Sequence, residues 1–95
     1  MSVFKKGMIK MKYIIKKTYV ALEDSKYIKK GYTDTWYMGK GIISSKDEND
    51  TYVMRNGYDR KCDAVRRFNL EEKGAKIESV NGFWQITHEI LEVNI

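Results

Sequence analysis

Hydrophobic and polar positions along the chain follow two periods. Residues 12–22 alternate with a period of two, placing Ile14, Thr18, Val20 and Leu22 on one face and Tyr13, Ile15, Tyr19 and Ala21 on the other. Apolar residues on both faces predict a strand that is central or covered on both sides. Residues 35–44 repeat the pattern, with Trp36, Met38 and Ile42 on one face and Gly39 and Gly41 on the other. Two glycines on one strand face predict a bulge, a bend or a place where something packs closely, with approach by a ligand as the alternative. The polar run Ser45-Lys46-Asp47-Glu48-Asn49-Asp50 reads as a hairpin turn. Residues 51–56 then read as a third strand, Tyr52 and Met54 opposing Val53 and Arg55.

The period changes after Asn56-Gly57. Asp59 stands where an N-cap is needed, and Cys62, Ala64, Val65 and Phe68 then fall on one arc of a 3.6-residue wheel. Arg60 and Arg67 share one flank of that arc and Arg66 projects from the other. Gly74 supplies a stop signal, so the helix is expected from about residue 60 to residue 73. Glu23-Asp24-Ser25 breaks the first strand, and residues 26–33 form a basic, tyrosine-bearing connection that is either a short extra strand or a mobile loop. Residues 75–80 carry no decisive pattern, and Asn81-Gly82 is a turn dipeptide. Residues 83–93 are the last strand, with Trp84, Ile86, His88 and Ile90 on one face and Phe83, Leu91 and Val93 on the other. The order β-β-β-α-β predicts a single α+β domain over residues 12–95, a largely antiparallel sheet with one helix packed on one face. Its expected core unites Trp36, Met38, Val65, Phe68, Trp84 and Ile86. Residues 1–11 are expected to be a flexible extension, Met11 reading as a natural start.

Composition narrows the class. Ninety-five residues, 42% of them hydrophobic, suffice for one modest core. Cys62 is the single cysteine, which excludes an internal disulfide and leads us to expect a reducing, cytoplasmic setting. No apolar run approaches the roughly 20 residues of a membrane helix, and the lysine-rich front lacks the apolar stretch of a signal peptide. The net charge of +5 is uneven: residues 1–17 carry +6 and residues 51–73 carry +2, whereas residues 74–95 carry −2. Such a balance points to an acidic partner.

Catalytic and metal chemistry find little footing. Cys62 and His88 lie on different elements; the cysteine reads as a small hydrophobe on the helix arc and the histidine as a core residue between Ile86 and Ile90. Gly39-Lys40-Gly41 lacks the third glycine and following helix of a dinucleotide loop, and the acidic turn lacks the glycine and terminal glutamate of a calcium loop. No enzyme, cofactor or metal is expected. A basic footprint interleaved with tyrosine is better developed: Lys16 and Lys17 on the first strand, Lys29 and Lys30 beside Tyr27 and Tyr32, then Tyr37, Lys40 and Arg55, and on the helix Arg60, Lys61, Arg66 and Arg67. The plain alternative is helix pairing, with Asp63 four residues before Arg67 and Arg67 four before Glu71.

The run from Trp36 to Gly41, followed by Tyr52-Val53-Met54-Arg55-Asn56-Gly57-Tyr58-Asp59-Arg60-Lys61-Cys62-Asp63-Ala64, resembles the arm-type DNA-binding domains of phage tyrosine recombinases. In that family three strands precede a helix, with a Gly-aromatic-x-x-Lys-x-x-Ala pattern at the strand-to-helix turn. Gly57, Tyr58, Lys61 and Ala64 occupy that pattern here. The resemblance implies a sheet docked in the DNA major groove, with Trp36, Lys40 and Arg55 near DNA. It covers residues 32–70, and the strand after the helix departs from it. It suggests a small accessory protein of a phage or mobile element that binds nucleic acid or a ribonucleoprotein complex. The alternative is an inhibitor of the anti-CRISPR type that binds and blocks a host or defence protein through protein-protein contacts with an acidic surface of that protein.

Overall fold

The computed structural model describes residues 11–78 and 82–95. Residues 1–10 of the expected extension, and Asn81 of the turn dipeptide, lie outside them. The elements in order are β1 (Met11–Ala21), β2 (Thr33–Met38), β3 (Ser44–Ser45), α1 (Thr51–Arg55), α2 (Lys61–Glu78) and β4 (Trp84–Asn94). All strands pair antiparallel, in the order β3-β2-β1-β4. This is the expected α+β domain, with β1 in the centre.

The register divides the sheet into two unlike faces. One carries Ile15 between Met38 and Ile90, Lys17 between Trp36 and His88, and Tyr19 between Asp34 and Ile86. α2 packs on this face, where Phe68 meets His88 edge-on at 6.0 Å. The other face carries Lys16 between Tyr37 and Glu89 and Thr18 between Thr35 and Thr87. It is largely polar between Val20 at one end and Ile14, whose cross-strand partner is Leu91, toward the other. Ile14 and Ile15 are both fully buried although their side chains point to opposite faces.

Burial of Ile14 depends on the segment after α1. Tyr13 and Tyr58 exchange two backbone hydrogen bonds of 2.9 and 2.8 Å, which lays residues 57–59 against β1 where β2 has ended. Gly57 makes this approach possible. A methyl group there would stand 2.8 Å from the Tyr13 carbonyl oxygen and 2.9 Å from Ile14 Cγ2. Gly39 serves the same purpose one turn away, where a methyl group would meet the Asn56 carbonyl oxygen at 2.8 Å. Of the readings that the glycine pair allowed, close backbone approach holds at Gly39, and a turn holds at Gly41 with its φ of 63°.

Four expectations are corrected. Residues 51–56 are not a strand: Asp50 accepts hydrogen bonds from the backbone N–H groups of Tyr52 (2.9 Å) and Val53 (3.3 Å), capping the short helix α1. The alternation there spans too few residues to outweigh a cap. The second strand stops at Met38, because Gly39 turns the chain; Ile42 is 99% exposed in the turn and has left the face it was assigned to. The helix does not stop at Gly74 but continues to Glu78, since Ala75 is buried and extends the packed face. Val65 is 39% exposed and Cys62 is also exposed. The packed stripe is Ala64, Phe68, Glu71 and Ala75, a 3.6-period row that the polar Glu71 conceals in the sequence. Trp36, Met38, Trp84 and Ile86 do share the helix-bearing face, as expected, but each is only half-buried.

Glycine substitutions separate these roles. Gly57→Ala should lower the unfolding free energy by about 1–3 kcal/mol, because backbone and Ile14 must both shift. Gly74→Ala meets nothing within 4 Å and should raise it by about 0.5–1 kcal/mol by stiffening a helix interior. Urea unfolding of the two variants measures both signs.

Candidate functional site

α2 lies over β4 and β1, and the β2 side of the same sheet face is an open depression of about 230 Å³ lined by Lys17, Tyr19, Trp36, Met38 and Ser44. A second depression, about 320 Å³, opens beside the helix between Lys40, Tyr58, Asp63, Arg66, Arg67 and Leu70. One carboxylate joins them. Glu71 accepts from Arg67 Nε at 2.8 Å and from Lys17 Nζ at 3.5 Å, so a cation from each depression meets it.

Arg67 is held by several partners at once. Its side chain is only 16% exposed, and it also donates to the Tyr58 hydroxyl at 3.0 Å and the Gly39 carbonyl at 3.5 Å. It therefore ties α2 to the two close-approach segments around Gly39 and Gly57. Burial by itself would raise the Glu71 pKa, but the Arg67 hydrogen bond and the neighbouring Lys17 and Arg67 charges outweigh it and hold the carboxyl below its usual range.

Lys17 is likewise mostly buried, whereas Lys46, Arg60 and Arg66 are exposed. Asp63 receives Arg60 at 3.2 Å and Arg66 at 3.5 Å, whose side chains are mostly in solvent. The expected Asp63–Arg67 pair does not form, because Arg67 turns inward to Glu71; the Arg67–Glu71 pair does form. On the β2 side, Asp34 accepts from Trp36 Nε1 at 3.3 Å and from Lys46 at 2.9 Å, and the Lys46 ammonium lies 5.2 Å from the centre of the Trp36 ring.

The fold thus gathers Lys17, Lys40, Arg60, Arg66 and Arg67 of the expected footprint around the two depressions. Lys16 and Tyr37 are cross-strand partners on the opposite sheet face. Lys29, Lys30 and Tyr32 lie in the exposed connection from β1 to β2, where the Lys30 N–H donates to Asp24 at 2.7 Å. Arg55 ends α1 and Lys61 begins α2, both exposed. Sequence reasoning missed Tyr19, Ser44, Lys46, Tyr58 and Glu71 as parts of one site. Glu71 carried a signal, an acid on the packed stripe of a helix.

Cys62 and His88 stand far apart in character as well as in sequence. The cysteine is exposed in the first turn of α2, whereas the His88 side chain is 0% exposed, packed on Phe68 and joined through Nδ1 to Glu72. Among the described residues no three His, Cys, Asp or Glu side chains cluster as a metal site requires, and no helix is long and apolar enough to cross a membrane. Comparison with protein-family models, curated proteins and solved structures finds no match to this chain.

The Glu71 network has a pH signature. A depressed carboxyl pKa contributes stability at pH values above the unfolded value near 4.5 and loses it as pH falls through the folded value. Glu71→Gln should cost about 1–3 kcal/mol at pH 7, since Arg67 keeps its half-buried charge with a weaker acceptor. The difference from wild type should shrink below pH 4.5. Thermal unfolding between pH 2.5 and 7 checks this; a difference constant across the range would contradict it.

Proposed function

We propose that this chain is a non-catalytic binding module of the phage or mobile-element type, whose basic face engages nucleic acid or a nucleic-acid-containing complex. The observation that carries the proposal is the grouping of six cations, Lys17, Lys40, Lys46, Arg60, Arg66 and Arg67, around two adjoining depressions where, among the described residues, they pair with three carboxylates, Asp34, Asp63 and Glu71. The excess of three positive charges is presented by a sheet and a helix that are locked together, so it is a fixed pattern. Arginine forks suit phosphate oxygens, and the partners of Arg60 and Arg66 are exposed pairs of the weak kind that a phosphate can displace. Arg67 acts differently: it is committed to Glu71 and Tyr58 and serves as the frame of the site.

Salt dependence is the test. If about three phosphates are neutralised, affinity for nucleic acid should fall roughly 20- to 40-fold between about 50 and 200 mM salt. The double variant Lys40→Gln, Arg66→Gln should weaken binding to every sequence and reduce the slope of log affinity against log salt by about 1–2. Fluorescence anisotropy with labelled oligonucleotides measures both. Absence of affinity for naked nucleic acid, together with one stable protein partner recovered from host lysate, would favour the inhibitor instead.

A further inference from the structure

We infer that the depression on the β2 side is a stacking platform for an unpaired base, so that the ligand of this face is single-stranded nucleic acid and not duplex. The inference rests on the nucleic-acid assignment above and deepens it. Trp36 and Tyr19 are aromatic side chains of one sheet face, on neighbouring strands, with Met38 beside them and Ser44 and Lys17 at the rim. The Trp36 plane is held by the hydrogen bond of its Nε1 to Asp34, and the same carboxylate holds Lys46 over one face of the ring. A ring fixed in plane, with a cation over one face, leaves its other face for a base and sets a charge near that base's phosphate. In a duplex the base faces are already stacked and only edges are offered, so a half-open aromatic depression can be filled only by a base that has left its stack.

The neighbouring depression supplies the rest of the strand's needs. Lys40 and Arg66 lie across the Glu71 junction from the aromatic side, so a strand with one base on Trp36 runs its phosphates toward them. The opposite sheet face is poorly suited to a duplex. Its cations are Lys12, tied to Asp59, and Lys16, set between Tyr37 and Glu89.

The test separates stacking from charge. The chain has two tryptophans, so in Trp84→Phe the emission reports Trp36 alone. Titration of this variant with single-stranded oligothymidylate of about 12 nucleotides should quench the emission, and a duplex of equal length should bind more weakly and leave it unquenched. Trp36→Ala should weaken oligothymidylate binding about ten- to a hundredfold, with Trp36→Phe recovering most of it. Should Trp36→Ala fail to fold, the quenching in Trp84→Phe decides. Duplex binding as tight as single-strand binding, with unchanged Trp36 emission, overturns the stacking platform and leaves the nucleic-acid assignment standing. Failure of both probes to bind overturns the two together.

Discussion

Two adjacent isoleucines on the central strand must both be dry, and they point in opposite directions. A strand in a two-layer domain ordinarily buries one face, and burying a second isoleucine adds about 1.5–3 kcal/mol only if something covers the far side. Here the cover is short. α1 packs against β1, and the segment after it pairs with Tyr13 through Tyr58. Gly57 is where that cover touches the backbone of β1 too closely for any side chain, and Gly39 is where the chain leaving β2 meets the backbone of Val53 and Asn56 as closely. The rest of the layout follows: β2 must end at Met38 to leave room, and the chain must turn through Lys40–Ile43 before it can return.

The same constraint makes the site. Once residues 57–59 are pinned to β1, α2 starts beside β1 and crosses to β4, with Ala64, Phe68, Glu71 and Ala75 turned inward. It cannot also cover β2, so Trp36, Met38 and Tyr19 stay accessible as one depression. Arg67 closes the arrangement by bonding at once to Glu71 on its own helix, to Tyr58 in the pinned segment and to the Gly39 carbonyl. A charge that is only partly exposed needs such multiple partners. It therefore binds the structural frame and the basic surface into one unit, while Arg60, Arg66 and Lys40 keep their heads in solvent.

The candidate site was legible in the sequence only as a list of residue types. Arg60, Arg66 and Lys40 were grouped by charge alone, and the Arg67–Glu71 spacing announced a pair. Which arginine would be buried was not readable, because Asp63 stands four residues from Arg67 and three from both Arg60 and Arg66, and all three geometries are helical neighbours. Lys16 and Lys17 are adjacent in sequence yet serve opposite faces. The strand's period of two said that they would diverge, but not which face the helix would choose.

Local chemistry decided the long elements. The long runs of strand-forming residues in β1 and β4, eleven residues each, and the helical period that begins near Ala64 were set by local side-chain pattern. Short segments had no such margin. Residues 51–55 satisfy a strand pattern and a helix cap equally well, and the cap prevailed because Asp50 could satisfy two N–H groups that a lone edge strand would have left to water. Gly74 could have stopped the helix, but the packing of Ala75 against the sheet outweighed the preference of one glycine. The core, the inward turn of Arg67 and the open aromatic depression belong to tertiary structure alone, since each depends on distances between residues that the chain brings together only after β1 is covered on both sides.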